Sequence, residues 1–278
     1  MIRHHLRNEL WKLLGKRRTY IGFGMLLMAQ VAVTIVFRFT GASRAAVRAL
    51  ESNGYEAASY LSALTVAVVM LFPIAYLLMP LYVALVGGDM VAKEAEDGTL
   101  RMILARPVSR ARILVVKWVA GCVFSLVLVG MLGLSGLGVA SLFFPQGGLF
   151  VFLPGEIFTV LEPGPGLGRY FAAHAVLCLK AVTVLSLGFL FSCMNVKPAA
   201  ATILALSVLF ANAILIQIPF FREIQHWFLT YHLNLWQTLF AQPIPWWRVA
   251  ESSCLLLGFN ASFLILGLVI FQARDIKT

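Results

Sequence analysis

The sequence predicts an all-α membrane protein: six transmembrane helices, a basic amphipathic helix ahead of them, and a short cytoplasmic helix between spans two and three. Three observations carry this. Hydrophobic residues make up 60% of the 278 and charged ones only 12%, against about 25% charged in a soluble domain, and mean hydropathy is +0.88. Six segments, near 20–38, 60–87, 113–143, 171–192, 199–219 and 250–272, reach the roughly 20 mainly apolar residues that a bilayer crossing needs. The third observation is the uneven placing of Lys and Arg, which sets the orientation below. Residues 1–18 are expected to form the interfacial helix and 19–278 the six-span body.

The first segment, "MIRHHLRNELWKLLGKRR", has no apolar core of signal-peptide length before its charges and no small-residue cleavage site after them. Ile2, Leu6, Leu10, Leu13 and Leu14 fall on one helical stripe, with Arg3, Arg7, Lys12 and Lys16 largely off it. A basic helix of this kind lies in the membrane interface.

Spans two and three exceed the needed length, which implies tilt or kinks, and Pro73 and Pro80 supply kink sites in the second. Spans four and five are joined by "CMNVKPA", a tight turn. With both termini inside, fifteen of the 22 Lys and Arg fall on inner segments and five on outer loops, with Arg38 at an outer edge and Lys180 within a span. That asymmetry places the loop at 94–112 in the cytoplasm. The net charge of +10 then needs no nucleic acid, because a basic inner face meets anionic membrane lipid. The Gly- and Pro-rich outer loop 144–170 is expected to be irregular. Residues 220–249 are expected to form helices at the outer interface, anchored by Trp227, Trp236, Trp246 and Trp247.

The loop "EAEDGTLRMILARPVSRAR" (94–112) has a legible local grammar. Asp97-Gly98 signals a turn, and Asp97 or Thr99 can cap a new helix. Leu100, Ile103 and Leu104 share one face of it, with Arg101 off that face. Pro107 ends it, and Ser109 can cap the next helix, which begins near Arg110 and continues as span three. Glu94, Glu96 and Asp97 have no His or Cys nearby to form a metal site. A short rigid helix with an apolar centre and a charged rim suits docking, and an ordinary cytoplasmic loop fits the same residues.

Other candidates are few. The four cysteines fall in or beside apolar runs without ligand spacing, and read as small buried hydrophobes. His226 and His232 lie six apart and make no helical metal pair; His174 reads as an interfacial histidine. Lys180 lies about nine residues into span four. A lysine at that depth costs on the order of 3 kcal/mol unless it faces a bundle interior or a watery cavity. It is therefore a translocation-path candidate, with snorkelling to the outer interface or a later span start as the other readings.

The run from Gly88 to Lys117, with Asp89, Glu94, Gly98-Thr99-Leu100, Pro107-Val108-Ser109-Arg110 and Lys117, resembles the signature loop of type-2 ABC exporter permeases. The closest likeness is to the small bacterial permeases of sodium, bacitracin and nitrous-oxide-maturation exporters, and it extends over the whole chain. The resemblance implies that the loop is a coupling helix seated in a separate ATP-binding subunit. Glu94, Gly98, Thr99, Leu100, Ile103, Leu104, Pro107, Ser109 and Arg110 would then form the contact region. It also implies a pair of permeases, as homodimer or with a homologous partner, in a bacterial cytoplasmic membrane with both termini inside. ATP and Mg would belong to the partner subunit, and the chain itself would hold no cofactor or metal. Consistently, the one Gly-Lys pair, Gly15-Lys16, is followed by Arg17 and lacks the phosphate-binding Gly-x-x-x-x-Gly-Lys-Ser/Thr pattern. The alternatives are a membrane scaffold or assembly factor, and an intramembrane enzyme, for which no paired acid–base or metal constellation is visible.

Overall fold

The computed structural model describes residues 2–104, 108–153 and 157–274. Among them, six helical stretches are long and apolar enough to cross a bilayer. They are α2 (Arg17–Phe39), the joined pair α5 (Ala63–Pro73) and α6 (Met79–Glu96), α8 (Arg110–Phe143), α9 (Pro163–Ser192), α10 (Pro198–Gln217) and α12 (Trp246–Ala273). Each matches an expected span, with the second extending nine residues further toward the basic end.

The second crossing stays continuous by changing pitch. Between Pro73 and Pro80 it forms a π-helical turn, Ile74–Leu78. Pro80 has no N–H to give the carbonyl of Tyr76 four residues back, and its ring crowds that carbonyl. A wider turn relieves both problems and re-aims the helix.

The spans are not equivalent. In its most apolar window α9 is 67% buried within the chain, whereas α10 and α12 are 22% buried. So α9 is the central post, and the outer faces of α10 and α12 are left for lipid or another subunit. Glycine permits the tightest crossing: a Cβ on Gly87 of α6 would stand 2.5 Å from the Leu185 carbonyl oxygen of α9. At the same level the Ser192 hydroxyl accepts from the Val91 and Ala92 amides, at 2.9 and 2.8 Å. Deeper in, Asn260 of α12 donates to Thr183 (2.9 Å) and accepts from Ser186 (2.7 Å), which itself accepts from Trp118 of α8 (2.9 Å). Buried amides and hydroxyls in a bilayer must find one another, and here they tie three spans together.

The end opposite the basic one, where the loops expected outside lie, departs from expectation. The Gly- and Pro-rich loop contains an antiparallel hairpin, β1 (Leu149–Leu153) and β2 (Ile157–Leu161), in the register Leu149↔Leu161 to Leu153↔Ile157. "LFVFL" and "IFTVL" are aromatic and β-branched runs that favour strands, and the glycines and prolines lie in the flanks and between them. The hairpin sits on the start of α5: Ser62 donates to the Gly148 carbonyl (2.6 Å), and the Phe150 amide donates to Thr65 (2.8 Å). The loop after α2 is also ordered, as α3 (Gly41–Glu51) and α4 (Ala57–Tyr60).

Residues 219–240 form a 3₁₀ segment (Pro219–Trp227), α11 (Leu229–Leu233) and a second 3₁₀ segment (Leu235–Phe240). Trp227, Trp246 and Trp247 are exposed, as interfacial anchors should be. Trp236 is not one of them; it is fully buried against Phe72, Tyr76 and Phe240. His174 is likewise buried, its Nδ1 against the Tyr170 carbonyl, because the α8–α9 crossing at Gly133 leaves room for the ring. Of the cysteines, all free, Cys193 is buried and Cys254 exposed on the outer face of α12.

Candidate functional site

The basic end is built around α1 (Ile2–Leu14), which packs on α8. Leu6, Leu10 and Leu13 of the expected stripe are half-buried, and Glu9, on the same side, turns in with them. Trp11, 72% exposed, and Leu14 face out. Past Gly15 the chain enters α2, and this corner is pinned to α6. Arg18 pairs with the buried Asp89, and the Tyr82 hydroxyl donates to the Thr19 carbonyl (3.0 Å).

Beneath α1 lies a four-residue ion cluster. Lys117, seven residues into α8 and 2% exposed, contacts Glu9 at 2.8 Å and Glu94 at 2.7 Å. Lys12 contacts Glu9 at 2.7 Å and Glu94 at 3.2 Å. Two lysines and two glutamates thus neutralise one another across α1, α6 and α8. Burial alone would raise the Glu9 carboxyl, but Lys117 and Lys12 outweigh it and hold it below the usual carboxylate range. Burial would lower Lys12, but Glu9 and Glu94 more than reverse this. The second oxygen of Glu94 is buried without a hydrogen-bond partner among the described residues.

Glu94 is also where the loop leaves the bundle. Helix α6 ends at Glu96, Gly98 takes a left-handed φ of +72°, and α7 (Thr99–Leu104) follows. A side chain at that φ would be strained, which is why glycine follows Asp97 here. The Thr99 hydroxyl reaches back to the Glu94 carbonyl (3.3 Å), and Ser109 caps α8 through the Arg112 amide (3.4 Å), with Arg110 opening that helix. Pro107 lies outside the described residues.

The face of α7 is rotated from the expected one. Leu100 is 3% exposed and belongs to the chain's own core, and Ile103 is half-buried; Met102, 67% exposed, faces out, and the Leu104 side chain lies outside the described ones. The physical reason is the length of the helix. With only six residues hung directly on the end of α6, it turns Leu100 into the core.

Lys180 lies within span four and faces the bundle interior, not the outer interface. It is 3% exposed, with its ammonium 5.2 Å from the ring centre of Tyr76 in the π-helical turn. No carboxylate lies within ion-pairing distance of it among the described residues. The Tyr76 hydroxyl accepts from Gln237 of the outer segment. Among the described residues no cluster of His, Cys, Asp and Glu could hold a metal.

Sequence reasoning missed the ion cluster as a unit. Two signals pointed to it: Glu9 on the apolar side of an amphipathic helix, and a lysine already two turns inside a span.

Six crossings, a central post and a short helix slung between spans two and three at the basic end define a multi-pass membrane protein. The chain belongs to the ABC-2 family transporter proteins, whose family description matches residues 7–276, and it is a permease subunit of an ABC transporter. No curated protein matches the sequence.

Proposed function

We propose that this permease exports its substrate, and that a separate ATP-binding subunit, which holds the ATP and Mg, docks from the cytoplasm on α7 and the 94–107 loop. Two permease copies, or one copy and a homologue, form the pathway in a bacterial cytoplasmic membrane, with both termini inside. One observation carries the docking assignment. Helix α7 is joined through Glu94 to an ion cluster that grips α1, α6 and α8 together. A push on α7 therefore moves the bundle instead of being absorbed by a slack loop. The charge asymmetry supports the orientation, and the thinly buried α10 and α12 leave apolar faces for a second copy. Lys180 is the path candidate, its burial in the bundle beside the Tyr76 ring supporting that reading.

Co-purification with the ATP-binding subunit tests this reading. Met102→Asp puts a charge at the exposed apolar point of α7 and is expected to weaken association at least tenfold while the chain still inserts. Leu100→Asp should instead lower folded yield, since Leu100 is core. Wild-type association and coupled ATPase activity in Met102→Asp would remove α7 as the docking element.

A further inference from the structure

Between α1, α7 and α8 the basic end opens a cleft of about 1300 Å³. Most of its charges are matched. Lys12 and Lys117 pair with Glu9 and Glu94, Lys93 pairs with Asp97, and Arg18 pairs with Asp89. Three lining cations, Lys16, Arg17 and Arg112, have no acidic partner among the described residues. Lys16 is half-buried at the extended joint between α1 and α2, within reach of the charges of Asp89, Arg18, Glu94 and Lys117, but Asp89 is paired with Arg18 and Glu94 with Lys12 and Lys117. An ammonium held there lacks full hydration and makes no direct ion pair among the described residues, and an anion entering the cleft would supply one. The floor carries Ile113 and Val116 from the first turns of span three, and the rim carries the exposed indole of Trp11. Cations above an apolar floor, beside an interfacial helix, match the layering of a phospholipid leaflet.

We propose that this cleft binds a phosphate-bearing anion, and specifically the headgroup of an anionic phospholipid, with Lys16, Arg17 and Arg112 as its phosphate contacts. The site goes beyond the transport reading and does not depend on ATPase docking. The full-length chain, purified alone in detergent, is titrated with dioleoylphosphatidylglycerol or dioleoylphosphatidylcholine, and bound lipid is counted by native mass spectrometry. Phosphatidylglycerol is expected to bind preferentially. The triple variant Lys16→Gln/Arg17→Gln/Arg112→Gln should lose about fivefold in that preference for each charge removed. Lys16→Arg/Arg17→Lys/Arg112→Lys should retain it and guards against a folding defect. Arg44→Gln/Arg48→Gln, on α3 at the opposite end, should leave it unchanged. Competition by inorganic phosphate supports the site with free phosphate as a second source; a preference that phosphate does not touch makes the lipid the source. Three results overturn the proposal: parental binding in the neutral triple variant, an equal loss in the α3 control, or one-for-one displacement of the lipid by the ATP-binding subunit. Failure of that subunit to bind at all sinks the docking assignment and leaves this site standing.

Discussion

The two ends of this molecule are held together by different forces. At the basic end, α1, α6 and α8 meet around two lysines and two glutamates, with Lys117 fully enclosed. At the outer end, the hairpin sits on α5 by hydrogen bonds, and the 219–240 segment sits on α5 and the π-helical turn by rings packed tilted and edge-on around Trp236. Ion pairs are directional and fail together when one member goes. Ring packing is graded and tolerates a change of shape. The end that bears α7 is thus built to move as one piece, and the outer end to yield locally.

Two substitutions of similar shape test that contrast. Lys117→Met keeps most of the side-chain volume but removes one of two cations from a neutral cluster. Glu9 and Glu94 are left with Lys12 alone, and the carboxylates, about one-sixth exposed, cannot recover full hydration. Losing one partner of a buried pair costs about 3–5 kcal/mol, and the residual exposure places this one near 3. Thermal unfolding in detergent should show it as the largest loss of any conservative change tried. A double-mutant cycle with Glu9→Gln should return a coupling well above the fraction of a kcal/mol seen for exposed pairs. Near-zero coupling would mean that the cluster is ornamental.

Trp236→Phe is the outer-end counterpart, and its effect should be smaller. The indole is fully buried, but its N–H has no hydrogen-bond partner among the described residues, so phenylalanine removes ring area without orphaning an acceptor. A loss under about 1.5 kcal/mol is expected in the same unfolding assay. A larger loss than that of Lys117→Met would invert the comparison.

How legible each end was follows from the same physics. Spans are written in local composition, and all six appear where apolar length demands them. The Asp97-Gly98 turn and the Ser109 cap are equally local and equally visible. What was hidden depends on contacts distant in sequence. Leu100 lies on an apolar helix face, and only packing against the rest of the chain decides that it turns inward. Trp236 looks like its exposed neighbours Trp227 and Trp246 until Phe72 and Tyr76, some 160 positions earlier, close over it. The hairpin was hidden by composition, since glycine and proline flanking two short apolar runs resemble a loop at first sight. Lys117 counted as one more inner charge, and its role needs Glu9, 108 positions away.

The smallest expected effect is a difference in pH response between the ends. Glu9 is held below its ordinary value of 4.5, the Lys117 and Lys12 charges outweighing its burial. A depressed carboxyl stabilises the fold above its unfolded pKa, and that contribution is lost as pH falls through the folded value. Lys12 is held above its ordinary 10.5 by Glu9 and Glu94, against its burial; its contribution is complete below 10.5 and is lost as pH rises through the higher folded value. The grip on α1 should therefore be constant across neutral pH and weaken in acid below 4.5 and in alkali above 10.5. A spin label at position 11, on the exposed side of α1, should sharpen with mobility as the pH drops below 4.5. One at position 158, on the outer hairpin where the packing is aromatic, should not change over the same range. Glu9→Gln should flatten the acid response of the first label. If both labels loosen together, acid is unfolding the whole chain and the two ends do not differ in this respect.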